Sequence, residues 1–328
     1  PGHPMVIIAP SASLKTFTSP CLWSNLVAML DKTREQVCMR ILLTGASGTV
    51  GAHLVREFED IRGVEISCFS LSSLLRDKLE TKDIGTLTCN LERIFADCRP
   101  DIIVHCAAAT DVDFCELNPN YAYFSNVIYT QALVSMATSM KAKIIHVSTS
   151  AIYGGNDSIV SNELDIPLPL NHYAKSKLLA EQYLKKSDVT HVIYRAGWMI
   201  DSLKQNNKFI GRIYENLLRG GAKAVIDKYA SLTSAKLLAK VIVKNLDLSL
   251  TGEFNIGSAN VCSRYDVAYN ISRVLNLDPP VPCQSSTFPL PAERGTFEGL
   301  STCREVILKD SCAVWQEQIL RILDDSPV

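Results

Sequence analysis

The sequence has no apolar run near the roughly 20 residues that cross a bilayer, so no membrane-spanning helix is expected. It has almost no net charge, because 33 basic side chains face 34 acidic ones and leave −1. That balance excludes the basic field that nucleic acid or an anionic membrane would require. It has no C-x-x-C pair and no Cys/His cluster with zinc-finger spacing, although 11 cysteines are present. Their odd number, and their scatter over positions such as Cys68, Cys89, Cys106 and Cys262, argue against a secreted disulfide scaffold. Several lie in apolar runs, where a free thiol behaves as a small hydrophobe. The expected thiol state is reduced, the expected location is cytoplasmic, and no metal site is assigned. There is no internal repeat and no low-complexity tract. What remains is the composition of a folded chain, 47% hydrophobic and 20% charged, with length for one large domain or two smaller ones.

Residues 1–39 stand apart from the rest of the chain. Pro1–Pro4 reads as a tag remnant ahead of Met5, and Val6–Ala9 is too short for a signal h-region. A helix-like stretch over 22–37 places Leu22, Leu26, Met29 and Leu30 on one face, as expected of a packing appendage or a dimerisation element. From Arg40 onward, strand and helix signals alternate. Strands are expected at Ile41–Thr44, Val64–Phe69, Thr86–Cys89, Ile102–Cys106, Lys143–Ser148 and His191–Arg195. Helices are expected over 49–60, 72–82, 91–98, 120–140 and 173–186. Near-continuous apolar strands separated by helices predict an α/β fold, a doubly wound parallel sheet of Rossmann type. The dinucleotide-binding domain is expected over 40–195. A smaller, mainly substrate-binding region occupies 196–328, with some elements returning to the sheet. There the pattern predicts helices over 207–219, 233–246 and 264–275, strands at Ala224–Asp227 and Glu253–Ile256, and a Pro-rich loop over 279–291.

Three motifs carry chemistry. The first is Thr44-Gly45-Ala46-Ser47-Gly48-Thr49-Val50-Gly51, which follows a strand and opens a helix. Its glycines permit a tight turn, close approach of backbone to a pyrophosphate, and tight helix–strand packing. The helix N-terminus offers free N–H groups and partial positive charge to the phosphates. The second is Tyr173-Ala174-Lys175-Ser176-Lys177, whose phenol and ammonium share a helix face. A neighbouring ammonium is expected to lower the phenol pKa, and the phenol is the proton donor a ketone reduction requires. The third is Ser148-Thr149-Ser150 at the end of a strand, where a hydroxyl points into the crevice that binds ligands. A lone Gly triplet or a lone Y-x-x-x-K is common. All three in this order along one alternating chain are a joint signal.

T-G-x-x-G-x-x-G, S-T-S-x-x-Y-G and Y-x-x-x-K in this order resemble the extended short-chain dehydrogenase/reductase superfamily. His105-Cys106-Ala107-Ala108-Ala109 is similar to that family's cofactor-side strand end, and Asn126 to its helix asparagine. Within the superfamily, Thr110-Asp111-Val112-Asp113, Pro169-Leu170-Asn171-His172-Tyr173, Arg195-Ala196-Gly197-Trp198 and Asn207-Lys208-Phe209 resemble dTDP-4-dehydrorhamnose reductases. The likeness covers roughly 40–280. It implies Thr149, Tyr173 and Lys177 as catalytic residues. It implies cofactor contacts from Gly45, Ser47, Gly48, Thr49, Val50, Gly51, Ser70, Arg76, Asn90, Leu91, Ala107, Ala108, Ala109 and Asn126, besides Tyr173 and Lys177. Substrate contacts would come from Thr110, Val112, Ser150 and Trp198. The expected reaction is NAD(P)H-dependent reduction of a carbonyl, with a 4-keto-6-deoxy sugar nucleotide as the preferred substrate.

The sequence departs from that subfamily in lacking its Arg-Pro pair near Leu290-Pro291-Ala292-Glu293-Arg294, and in ending an expected third strand at Asn90-Leu91, where Asp is commoner. No acidic residue follows Cys68-Phe69 to bind a ribose 2′-hydroxyl, whereas Ser70, Ser72, Ser73 and Arg76 suit a 2′-phosphate. NADPH is therefore expected over NADH. Two other resemblances stay open. The Tyr173–Glu181 stretch is also similar to thioester reductase domains acting on carrier-bound intermediates. Relatives such as the methionine adenosyltransferase beta subunit bind NADP as regulatory subunits. The expected partner is a small-molecule or carrier-bound carbonyl substrate, and a homodimer is left open. His105 and His146, in apolar strands, read as satisfied core histidines.

Overall fold

Apolar runs alternating with amphipathic stretches suit a sheet covered on both faces, and the computed structural model of the protein has that sheet. The structure describes residues 6–7, 39–69, 84–156, 160–202, 209–246, 249–304 and 313–324. The strands are β1 (Val6–Ile7), β2 (Met39–Thr44), β3 (Val64–Phe69), β4 (Ile102–His105), β5 (Lys143–Thr149), β6 (His191–Ala196), β7 (Trp198–Ile200), β8 (Lys223–Val225), β9 (Tyr229–Ser234), β10 (Gly252–Ile256), β11 (Val261–Ser263), β12 (Val281–Cys283) and β13 (Phe297–Glu298). The helices are α1 (Thr49–Glu59), α2 (Ile84–Cys98), α3 (Val112–Leu117), α4 (Pro119–Tyr123), α5 (Tyr129–Met140), α6 (His172–Lys186), α7 (Phe209–Arg219), α8 (Ala235–Lys244), α9 (Arg264–Val274) and α10 (Trp315–Asp324).

Seven parallel strands in the order β1-β3-β2-β4-β5-β6-β10 form the main sheet. Neighbouring residues of each strand feed opposite faces, as the pleat dictates. Ile41 and Leu43 of β2 pack with Leu54 and Phe58 of α1 and with Leu238 and Ile242 of α8. Leu42, between them, packs with Leu91 and Phe95 of α2 and Leu133 of α5. The sheet reverses between β2 and β4, and a crevice opens at the carboxyl ends of the strands there, where such folds bind ligands. A third core lies in the later part of the chain, joining Ile210 and Leu217 of α7, Leu232 of β9, Val267 and Ile271 of α9, and Trp315 and Ile319 of α10. It carries a second, four-stranded sheet of β7, β9, β11 and β13. The later chain returns to the main sheet through β10, which pairs with β6, and through α8, which packs on α1.

Three expectations change. Thr86–Cys89 is not a strand but part of α2. Leu87, Leu91, Ile94 and Phe95 are all buried, and their spacing is that of one helical face rather than of alternation. The single helix expected over 120–140 is α4, a π-helical turn at Phe124–Ile128, and α5. The Pro-rich segment is not wholly loop: β12 pairs in parallel with β8. Pro282 is tolerated there because the pair has only two strands and leaves an edge that needs no donor. The helix expected over 72–82, and the one over 22–37, lie outside the described residues.

Candidate active site

The crevice begins at the glycine turn. Gly45 adopts φ +76°, a region open to glycine without steric cost. A Cβ there would stand 2.7 Å from the Ala107 amide nitrogen. A Cβ on Gly51 would stand 2.1 Å from the Gly45 carbonyl oxygen. The turn is thus folded back on α1, and β4's continuation presses against it. Gly48 occupies the N-cap of α1 with no side-chain cap. The helix's first N–H groups are left for an anion, as a pyrophosphate would need.

The wall opposite is the segment after β4. Asn126, in the π-helical turn, accepts from the Ala109 amide at 2.8 Å through Oδ1. Its Nδ2 donates to the Ala109 carbonyl at 3.2 Å and to Ser176 Oγ at 2.9 Å. Asn126 is only 1% exposed. It therefore does not line the cleft but ties the Ala109 segment to α6. The π-turn re-aims one side chain out of the helical register, a common device near functional sites.

The catalytic candidates come from β5 and α6. Asn171 caps α6 by accepting from the Ala174 amide at 2.9 Å. One turn separates Tyr173 from Lys177. The Tyr173 hydroxyl hydrogen-bonds Thr149, whose Oγ1 also accepts from the Ala151 amide at 3.2 Å. Desolvation pushes the Tyr173 phenol up to about 12, against the lowering effect of Thr149. The expected lowering by Lys177 is absent from this geometry. Lys177, 2% exposed, donates through its ammonium to the Val147 carbonyl at 2.7 Å and to His146 Nε2 at 3.1 Å. Burial lowers Lys177 to about 8, with Glu181 and Cys106 opposing. The phenol accordingly stays protonated at neutral pH and is poised to donate.

The remaining wall comes from the later part of the chain. Trp198 of β7 and Phe209 of α7 hold the Arg264 guanidinium between them, 4.8 and 4.6 Å from their ring centroids. Glu298 of β13 accepts from Ser150 Oγ at 3.4 Å and from the Trp198 indole. Burial raises its carboxyl above the usual range. Arg294 pairs with Asp113 at 2.9 Å and closes this wall onto α3. Sequence reasoning missed Glu298 and Arg264. Glu298 lies on a two-residue strand 148 positions from the serine it touches, so no local pattern marked it.

One cleft of about 1350 Å³ gathers Gly45, Ser47, Gly48, Thr49, Val50, Gly51, Ala107, Ala108, Ala109, Thr110, Val112, Thr149, Ser150, Tyr173, Lys177 and Trp198. Asn90 and Leu91 do not line it. Both lie in α2, and Leu91 is fully buried in the core, where helical periodicity takes it. Ser70 and Arg76 lie outside the described residues. His105 is satisfied by Thr44 Oγ1 at 2.7 Å and Thr130 Oγ1 at 3.0 Å, as expected of a core histidine. His146 is not, for its Nδ1 is buried without a partner among the described residues.

A switch-point crevice with a glycine turn on one side and a hydroxyl, phenol and ammonium on the other defines an NAD(P)H-dependent oxidoreductase of the extended short-chain dehydrogenase/reductase class. Within that class, the chain belongs to the RmlD substrate binding domain family, whose profile matches residues 39–327. It is similar to the dTDP-4-dehydrorhamnose reductase of Escherichia coli (strain K12), 28% identical over 310 residues, covering 88% of this chain and 98% of that protein. Its fold matches the crystal structure of the dTDP-4-dehydrorhamnose reductase from Yersinia enterocolitica with TM-score 0.76 and 32% identity, over 87% of this chain and 99% of the other. It is also similar to the methionine adenosyltransferase 2 subunit beta of Bos taurus, 26% identical over 247 residues, covering 73% of this chain and 72% of that protein.

Proposed function

We propose that the protein reduces the keto group of a 4-keto-6-deoxy sugar nucleotide with NADPH. The observation that carries this is the convergence of Thr149, Tyr173 and Lys177 on the cleft that the glycine turn opens. The uncapped α1 N-terminus fits the cofactor's pyrophosphate. The end of β3 carries no acidic residue that would favour a free ribose 2′-hydroxyl, and Ser70 and Arg76 are the proposed partners of a 2′-phosphate. NADPH bound there supplies a hydride.

The chain's own residues do the rest. Thr149 and Tyr173 donate hydrogen bonds to the substrate's carbonyl oxygen and fix its position. As negative charge develops on that oxygen, the Tyr173 phenol transfers its proton to it. Lys177 holds the nicotinamide ribose through its ammonium. Trp198 and Arg264 form the wall against which the sugar nucleotide lies, and the Arg264 guanidinium offers its charge to the diphosphate. The intact Thr149, Tyr173 and Lys177 set supports catalysis over a purely regulatory role.

The test is consumption of NADPH by the purified chain with dTDP-4-dehydrorhamnose, alongside a carrier-mimicking thioester and a simple aldehyde. Turnover of the sugar nucleotide is expected, with a Tyr173→Phe variant slower by about 10²–10⁴-fold, the usual contribution of a positioned acid. Turnover of the thioester alone would refute the substrate, and full turnover by Tyr173→Phe would refute the proton donor.

A further inference from the structure

His146 sits on β5, three residues before Thr149, with its ring fully buried. Its Nε2 lies 3.1 Å from the Lys177 Nζ. An ammonium has only donors, so Nε2 accepts and the ring proton sits on Nδ1. That Nδ1–H is buried without a partner among the described residues. Native interiors seldom leave a buried donor unpaired, because its lost hydration goes uncompensated. The neighbouring His105, whose ring centroid is 5.0 Å away, has both nitrogens paired. The two adjacent core histidines therefore differ: one is satisfied by its surroundings, and the other keeps an orphan while serving the lysine.

We infer that His146 is a positioning residue, which holds the Lys177 ammonium so that its one remaining N–H faces the cofactor's ribose. Of the three N–H bonds on Nζ, the Val147 carbonyl takes one at 2.7 Å and His146 takes the second. The third is left for the cleft that Lys177 lines. Without the imidazole, a buried four-carbon side chain regains rotamers that carry the charge away from the ribose. The other ionisable groups around the ammonium are Glu181 on its own helix, Cys106 after β4, and His105. Burial lowers His105 to about 3 and raises Cys106 to about 12, so both are uncharged at neutral pH, whereas His146 and Val147 hold the ammonium by hydrogen bonds. The inference rests on the assignment of Lys177 to the ribose, and the test separates the two.

The experiment is a double-mutant cycle on the full chain, read as NADPH dissociation constants by fluorescence titration, with thermal melts alongside. Lys177→Met is expected to weaken NADPH binding. His146→Leu is expected to weaken it by about tenfold in the parent, the scale of one charged hydrogen bond, and to have no further effect on Lys177→Met. His146→Gln, which keeps an acceptor oxygen, is expected to restore most of the affinity. If Lys177→Met binds NADPH normally, the ribose assignment fails and the positioning role with it. If Lys177→Met weakens binding and His146→Leu is additive to it, only the positioning role fails. The unmodified protein gives a second reading that does not depend on a variant folding. Its nitrogen-15 spectra are expected to show His146 neutral with the proton on Nδ1, and a proton on Nε2 would overturn the inference.

Discussion

Four glycine-to-alanine substitutions test whether the turn after β2 is the cofactor cradle. A Cβ on Gly51 falls 2.1 Å from the Gly45 carbonyl oxygen and 2.8 Å from the Ala46 Cα, so the closer contact is about 0.9 Å short of the 3.0 Å that Cβ atoms keep. The clash is with backbone on both counts, and no rotamer relieves it. The turn must move by that amount, away from the positions that place its N–H groups on a pyrophosphate. Alanine also gains about 1 kcal/mol of helix propensity over glycine, which offsets part of an overpacking cost of about 1–3 kcal/mol. Gly51→Ala should thus fold while its NADPH affinity falls by about 100-fold, the penalty of losing two charge-assisted hydrogen bonds. Gly45→Ala should do the same, with strain of about 1–2 kcal/mol from its φ of +76° added to a 2.7 Å contact on the Ala107 amide. Gly48→Ala meets one atom at 3.1 Å with an ordinary φ of −79°, so a shift of a few tenths of an ångström suffices and the loss stays below about tenfold. Gly220→Ala shares a φ of +76° but meets nothing within 4 Å. It should lower stability and leave affinity unchanged. Fluorescence titration with NADPH and thermal melts of all four variants decide the matter. Equal affinities for Gly51→Ala and Gly220→Ala would show that the phosphates do not lie on this turn.

Glu181→Ala should destabilise the fold by about 3–5 kcal/mol, because it strands a buried guanidinium. Arg195 and Glu181 are 2% and 0% exposed and meet at 2.7 to 3.2 Å. Denaturant titration measures the loss, and a value below about 1 kcal/mol would refute the charge-stranding account. NADPH binding should weaken as pH rises above about 8, where Lys177 loses its proton. Affinity is full below that pKa, since binding the cofactor favours the ammonium and raises its pKa in the complex. Calorimetric titration across pH 7 to 10 checks this, and Lys177→Met should give a flat profile. Asn126→Ala should weaken cofactor binding and slow turnover together by about tenfold, through release of the Ala109 segment and of Ser176. An unchanged dissociation constant would mean that the wall holds itself.

The main-sheet half of the fold was legible because its forces are local and periodic. β2, β3, β4, β5 and β6 are runs apolar enough to be buried on both faces, and they fall where the sequence places them. The failure at Thr86–Cys89 has the same origin. Thr-Leu-Thr-Cys alternates over four residues, and only the longer set Leu87, Leu91, Ile94 and Phe95 reveals the helical period. The partner of β3 on its outer side is instead Val6–Ile7, and no periodicity announces a pairing of Val6 with the distant Ser67. In the later part of the chain the strands are two or three residues long except for β9 and β10. Two or three residues carry no readable period, so β7, β11, β12 and β13 left no trace in the pattern.

The same distinction separates the two halves of the active site. Tyr173 and Lys177 share a helix turn, and Gly45, Gly48 and Gly51 share a strand–helix junction, so the spacing itself holds the geometry. Trp198, Arg264 and Glu298 reach the cleft from β7, the first turn of α9 and β13. They are brought together by β9, which pairs with β7, β11 and β13 and so gathers three strand ends at one place. Their chemistry follows from tertiary pairing alone. The buried Glu298 carboxyl accepts from the Trp198 indole, and the Arg264 guanidinium lies over the same indole's ring. If substrate selection lies in the later segment, whose register β9 sets, it is separable from cofactor binding at the glycine turn. A substitution that shifts β9 should therefore change which carbonyl compounds are accepted while leaving NADPH affinity intact. Ser231→Val is such a change. It removes the hydroxyl that donates to the Leu300 carbonyl at 3.4 Å and accepts from its amide at 3.0 Å. Equal loss of cofactor and substrate binding in Ser231→Val would show that the two halves are not separable.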